Sequence, residues 1–218
     1  MPTGFWAFWR WNWGVYSEFW RGYRLLRGIG PCVTVFGSSR FVAEHAHYQL
    51  ATRVGAALAR AGFTVLSGGG PSTMRAASEG ARAAGGRAIG VAIRLPHEKR
   101  ANDFLDRVLV ADHFHVRKTL LMVRADGFVV LPGGVGTLDE LLEVATLMVT
   151  GKAPARPIVL LNRAYWGGFL EWLNLEVRAS GAISAAELEI FQCVDTADEA
   201  VEIVVNAAKS RRPRDAMA

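Results

Sequence analysis

Three short turns carry residue types that can hold an anion: Gly37-Ser38-Ser39, Gly68-Gly69-Gly70 and Pro132-Gly133-Gly134-Val135-Gly136. Glycines let backbone N–H groups approach an anion closely, and a helix N-terminus behind such a turn adds a partial positive charge. Gly133 through Thr137 therefore reads as a phosphate cradle. It is not a P-loop, because no Gly-Lys-Ser/Thr follows, and it lacks the G-x-G-x-x-G dinucleotide fingerprint. Taken singly, each turn is explained by a tight bend. Taken together they are read as one anion site, because each follows an apolar run, and in a parallel sheet all such turns lie on the carboxyl edge.

Two charged residues stand close to these turns in the chain. Thr137-x-x-Glu140 has the spacing of a capping box, in which the glutamate would satisfy a backbone N–H at the start of its helix. The same spacing puts an acid beside the expected phosphate, where a negative charge is out of place unless it meets a cation that develops during a reaction. Arg117, near the start of the preceding helix, can reach the same edge. The histidines His45, His47, His97, His113 and His115 form no zinc pattern; His113-x-His115 has no third ligand in register and is expected to be a solvated or structural pair.

The elements that must position these residues follow from periodicity. Short apolar runs at Cys32–Phe36, Thr64–Leu66, Ala88–Ile93, Val108–Ala111, Gly127–Leu131 and Ile158–Leu161 predict strands. Amphipathic stretches predict helices over Tyr48–Ala61, Thr73–Ala84, His115–Arg124, from the 132–136 turn to about Thr150, over Trp166–Ala179 and over Ala197–Ala208. Thr196-x-x-Glu199 is a second capping-box signature, opening the last of these. Strands alternating with helices of this length predict an α/β fold, a Rossmann-like doubly wound parallel sheet with helices on both faces. The expected organisation is a Trp-rich segment with a lead-in helix over 1–30, a nucleotide-binding domain over 31–208 and a basic tail over 209–218.

Composition narrows the function classes. Of 218 residues, 51% are hydrophobic and 21% charged, which excludes wholesale disorder and collagen-like repeats. The net charge of +5 sits at the ends: Arg10, Arg21, Arg24 and Arg27 against Glu18 give +3, and Lys209, Arg211, Arg212 and Arg214 against Asp215 give another +3. The body, residues 31–208, is left at −1, so a duplex-binding face and a nucleic-acid partner are not expected. Cys32 and Cys193 form neither a disulfide framework nor a Cys-x-x-Cys pair, so a reducing cytoplasm is expected. No apolar run is long enough to span a bilayer, and the first residues offer no secretory leader. Five of the seven tryptophans, Trp6, Trp9, Trp11, Trp13 and Trp20, crowd the first 20 residues. They are expected to pack on a neighbouring subunit or on the domain itself; contact with a membrane surface is the less favoured alternative, and a disordered tail the third.

Several strings together resemble one family. Phe36-Gly-Ser-Ser39, Gly68-Gly-Gly-Pro71 with Met74, Leu95-Pro-His97, Val116-Arg-Lys118, Pro132-Gly-Gly-x-Gly-Thr-x-x-Glu140 and Gly151-Lys152 are similar to the LONELY GUY proteins. These are cytokinin riboside 5′-monophosphate phosphoribohydrolases, often mislabelled lysine decarboxylases. The resemblance runs from about Tyr16 to Glu202, and its lead-in looks like the longer bacterial subgroup, whose members tend to be hexamers or other higher oligomers. It implies a nucleoside monophosphate substrate and a homo-oligomer, dimer or hexamer. It further implies Arg117 and Glu140 as the catalytic pair, Gly133, Gly134, Gly136 and Thr137 as the 5′-phosphate cradle, and Gly37, Ser38, Gly69 and Gly70 as nucleotide contacts. Where the long subgroup reads Gly-Ile-Met-Glu-Ala-Ala-Asn, this chain has Ser72-Thr-Met-Arg75-Ala-Ala-Ser78, a departure that bears on base and ribose preference.

The implied reaction develops positive charge on a ribose ring as its N-glycosidic bond opens, much as an O-glycoside passes through an oxocarbenium-like state. A carboxylate such as Glu140 would stabilise that charge or orient water, with Arg117 positioning it; no metal or cofactor is called for. Lysine decarboxylation would need a lysine Schiff base to pyridoxal phosphate, and of Lys99, Lys118, Lys152 and Lys209 only Lys118 is expected near the crevice. The rival from another class is a non-catalytic nucleotide- or cofactor-binding carrier of the same fold, which need not keep both Arg117 and Glu140.

Overall fold

The computed structural model describes residues 4–95 and 101–211. Pro96, His97 and Lys99, and Arg212, Arg214 and Asp215 of the basic tail, lie outside the described residues. Seven strands form one all-parallel sheet: β1 (Cys32–Phe36), β2 (Thr64–Ser67), β3 (Ala88–Ile93), β4 (Arg107–Ala111), β5 (Gly127–Val130), β6 (Ile158–Leu161) and β7 (Phe191–Val194). Their order is β4-β3-β2-β1-β5-β6-β7, so the winding reverses between β1 and β5. Register is fixed there by Val33 opposite Gly127 and Val35 opposite Val129. The doubly wound fold expected from periodicity is the one observed.

Alternation along each strand sends side chains to two cores. Val33, Val35, Val65, Val129 and Val159 meet one layer of helices: α2 (Ala46–Arg60), α3 (Thr73–Ala83) and, at the end of the chain, α8 (Ala197–Arg211). Cys32, Phe36, Leu66, Phe128 and Val130 meet the other layer: α1 (Phe5–Leu26), α4 (Phe114–Met122), α5 (Val135–Val149) and α6 (Arg163–Trp172). Helices α2 and α3 touch backbone to backbone, because a Cβ on Gly55 would collide with the Ala77 carbonyl and one on Gly80 with that of Thr52. A short helix, α7 (Ala185–Leu188), precedes β7.

Several elements differ from the sequence expectation. The tryptophan segment and its lead-in form one element, the 22-residue α1. One face of α1 packs on the domain through Leu26, Val15 and Phe19. Gly22 lets it approach Leu120 of α4, and Arg107 Nη1 donates to the carbonyls of Leu25 and Arg27 at its end. Strand β7 escaped the periodicity reading because it is an edge strand only partly covered. Helix α6 begins three residues earlier than expected, because the Asn162 side chain accepts from Tyr165 N at its start, and it loosens into a π-helical turn over Leu173–Val177. The Thr196–Glu199 capping box does form, with Glu199 N donating to Thr196 Oγ1 at 3.2 Å and Thr196 N to Glu199 Oε2 at 2.9 Å.

Candidate active site

Where the winding reverses, the β1 and β5 turns part and leave a cavity of about 450 Å³. A crevice at the carboxyl edge beside such a reversal is where doubly wound sheets hold ligands. The size is within the range that encloses a small organic ligand. Ser38 links the walls: its N–H donates to the Pro132 carbonyl at 3.3 Å, and its own carbonyl accepts from Thr73 N at 3.2 Å and Thr73 Oγ1 at 2.8 Å. Thr73 Oγ1 lies so close to Gly37 that no side chain fits there.

The chain enters α5 through the 132–136 turn, with Gly134 as the residue that caps the helix. The N–H groups of Val135 and Gly136 therefore have no acceptor within the helix, and both residues line the cavity. Added Cβ atoms on Gly134 and Gly136 would meet nothing within 4 Å, so the turn is not crowded by neighbouring side chains there. Gly133 does a different job: Thr137 sits directly against it, and the Tyr165 hydroxyl donates to its carbonyl at 2.6 Å. Nothing in the sequence around Tyr165 announces this bond, since α6 is reached only through the tertiary fold.

The expected capping box at Thr137 and Glu140 does not form. The helix starts at Val135, three residues before the capping-box reading requires, so Thr137 is already inside it and its N–H bonds the Gly134 carbonyl at 3.0 Å. Glu140 is thereby carried to the second turn, where its Oε1 meets Arg117 Nη1 at 2.8 Å; both side chains are nearly buried, at 11% and 12% exposure. Arg117 is fixed by a bond from Nε to the Val91 carbonyl at 3.1 Å and by Gly68, over which its guanidinium lies. Burial pushes the Glu140 carboxyl above the ordinary carboxylate range, and the Arg117 charge opposes that shift.

Seven of the residues singled out from the sequence line one cavity: Gly37, Ser38, Arg117, Gly134, Gly136, Thr137 and Glu140. Gly133 lies behind the turn. Gly69 and Gly70 face away, with carbonyls that accept from Asn102 Nδ2 at 3.1 and 3.2 Å; in that turn it is Gly68 that lines the cavity. Sequence reasoning passed over Arg40, exposed at the rim, and Phe114, which with Ile93 and with Leu95 and Met74 of the family strings forms an apolar wall. Arg40 carried a signal in its charge directly after Ser38-Ser39; Phe114 carried none. The departures at Arg75 and Ser78 fall outside the cavity. Arg75 reaches Asp103 at 3.7 Å and lies over the Phe104 ring, while Ser78 bonds the Met74 carbonyl within α3.

Lys118 is unsuited to a Schiff base. Its ammonium pairs with Glu143 at 2.7 Å and Asp139 at 3.1 Å. Burial alone would lower its pKa, but the two carboxylates outweigh burial and hold it above the ordinary lysine value, so the neutral amine is suppressed. The residues present do not fit pyridoxal phosphate chemistry. His113 is also engaged, with Nδ1 3.2 Å from Glu18 Oε1, and the His45 side chain accepts from His47 N at the start of α2.

The Tyr165 bond makes a testable statement about the turn. Losing one hydrogen bond of about 0.5–1.5 kcal/mol, Tyr165→Phe is expected to raise KM for a phosphorylated ligand by roughly 2–10-fold with kcat retained. An unchanged KM would show that the turn holds its shape unaided.

Residues 74–204 match a family model described as a possible lysine decarboxylase. A cytokinin riboside 5′-monophosphate phosphoribohydrolase of Mycobacterium marinum is 39% identical over 156 residues, covering 71% of this chain and 83% of the relative. A protein of the same name from Mycobacterium tuberculosis is 39% identical over 158 residues, covering 70% and 82%. Among solved structures, a molybdenum cofactor binding protein of Rippkaea orientalis superposes with a TM-score of 0.62 at 19% identity, covering 82% of this chain and 97% of that one. At that identity the likeness speaks for the fold alone.

Proposed function

We propose, from the premise that this chain belongs to the LONELY GUY family, that it hydrolyses the N-glycosidic bond of purine nucleoside 5′-monophosphates, cytokinin-type or AMP, giving free base and ribose 5-phosphate. The observation that carries the reading is the nearly buried Arg117–Glu140 pair lining one cavity with an open helix N-terminus and an apolar wall. The helix start suits a phosphate, the wall of Met74, Ile93, Leu95 and Phe114 suits a purine, and the pair then faces the bond between ribose and base. Arg40 adds positive charge to the same cavity.

In the proposed reaction water supplies hydroxide to the ribose carbon, the bond to the base breaks, and the water's second proton follows the departing base. Positive charge grows on the ring, and the Glu140 carboxylate meets it. Burial makes that carboxylate effective when ionised, because little water screens it, and it also favours protonation; Arg117 opposes this only in part, and its ion pair aims the group. A carrier that only binds a nucleotide needs the cavity and the open helix start, but has no use for a nearly buried carboxylate aimed by an arginine in this way.

The proposal extends to a cytoplasmic homo-oligomer, dimer or hexamer. A reducing compartment is supported by Cys32 and Cys193 being free, with burial pushing the Cys32 thiol up to about 12, so that it is inert. The test is incubation with AMP and isopentenyladenosine monophosphate beside their unphosphorylated nucleosides, with free base read by chromatography. Base is expected from the monophosphates, and the nucleosides are expected to be about 10–100-fold poorer, because they forgo charge-assisted bonds at the start of α5. Equal turnover of adenosine and AMP would remove the cradle from the proposal, and no base from either would favour the carrier.

A further inference from the structure

The face of α1 turned away from the domain has no partner among the described residues. Trp6, Trp9, Trp13, Tyr16, Trp20 and Tyr23 recur at alternating intervals of three and four, and each is 55 to 80% exposed. At about 100° per residue, all six fall within an arc of roughly 100°, a continuous aromatic stripe about 25 Å long. Neighbours along the stripe are ordered against each other: Trp13 and Tyr16 rings lie 5.8 Å apart, and Trp20 and Tyr23 stack at 5.9 Å.

Charge decides what such a stripe fits. Arg10, Arg21 and Arg24 border it, all exposed, with Arg27 just beyond the helix. The only carboxylate of α1, Glu18, is buried on the opposite face, where it accepts from Asp112 N at 3.0 Å and His113 N at 3.3 Å. The outward face therefore offers aromatic rings and positive charge with no acid to balance it. A second copy of the helix would bring the same arginines and no carboxylate. Tryptophan and tyrosine, rather than leucine or isoleucine, are the residues that settle at the boundary between headgroups and acyl chains, where the ring is buried and the N–H or O–H stays wet. No helix among the described residues is long and apolar enough to cross a membrane, which leaves the helix lying in the plane of the surface.

We propose that α1 docks this protein on the surface of an anionic phospholipid bilayer, through the Trp6–Tyr23 stripe and the arginines beside it. The sequence alone favoured packing against protein; the structure spends the opposite face of α1 on that packing and leaves this one outward.

The test uses the full chain with vesicles of phosphatidylcholine alone or mixed with phosphatidylserine, read by co-sedimentation and by the blue shift of tryptophan fluorescence. Binding is expected to the mixed vesicles only and to weaken as salt is raised. Each basic residue near an anionic surface contributes about a factor of five, so Arg10→Gln with Arg24→Gln should lower partitioning by roughly 25-fold. Trp9→Ser with Trp13→Ser and Trp20→Ser should abolish it. All five positions are exposed, so circular dichroism should give unaltered spectra and melting. Failure of the unaltered protein to bind phosphatidylserine vesicles at low salt overturns the proposal. So does a triple tryptophan variant whose only change is a smaller mass in light scattering, which would assign the stripe to a second copy.

Discussion

A Glu140→Gln variant is expected to release free base about 10²–10³-fold more slowly than the unaltered protein, roughly 3–4 kcal/mol in the barrier, the loss typical of removing one preorganised electrostatic stabiliser. The amide keeps the shape of the side chain and one hydrogen bond to Arg117, so the loss isolates the charge. It also leaves the nearly buried guanidinium without its counter-charge, and the melting temperature should fall by an amount equivalent to about 1–3 kcal/mol. The pH profile gives a second reading of the same group. Burial raises the Glu140 pKa above its ordinary 4.5, against the pull of Arg117. The ionised form is the active one, so activity should drop as pH falls through that raised value, at a higher pH than for an exposed carboxylate, and the Gln variant should lack this limb. Stability runs the other way. A folded-state pKa above the unfolded one contributes stability that is full below the unfolded value and is lost as pH rises through the folded one. Near-normal release of base by a folded Glu140→Gln protein, with its acid limb intact, would refute the role.

Gly68→Ala is expected to lower kcat by about 10²-fold without replacing either member of the pair, because misplacing a catalytic group by about 1 Å carries a penalty of that order. A methyl on Gly68 would overlap Arg117 Nη2 and come within 2.8 Å of Met74 Sδ. The Gly68 backbone is not in the left-handed region, so alanine is allowed there conformationally and the effect comes through the contact alone. Arg117 is tethered at Nε to the Val91 carbonyl and cannot slide away as a unit; its guanidinium must tilt off Glu140. Overpacking of this kind costs about 1–3 kcal/mol of stability, which a melting curve measures separately from turnover. Wild-type kcat in the variant would show that the pair tolerates displacement.

The alternation of apolar runs with amphipathic stretches was enough to determine the doubly wound class, because a buried parallel strand and a covering helix each leave a periodic signature in the chain. The turns at 37, 68 and 132 were legible for the same reason, since only a strand-to-helix junction on a shared edge explains three of them. Arg117 and Glu140 could be named from their neighbours in sequence. Their relation to each other could not, because it depends on where α5 begins. A start at Val135 turns an apparent cap into a nearly buried ion pair, a shift of three residues that local propensity does not resolve. Gly68 and Tyr165 show the same limit: one glycine of three lies under a guanidinium 49 positions away, and a hydroxyl on α6 steadies a turn 32 residues earlier. The outward stripe of α1 was present in the spacing of its aromatic residues, but which face the domain would cover was not. That was decided by Gly22 admitting Leu120 and by Glu18 finding the Asp112 and His113 N–H groups, contacts between residues remote in the chain that exist only once the sheet has brought α1 and α4 together.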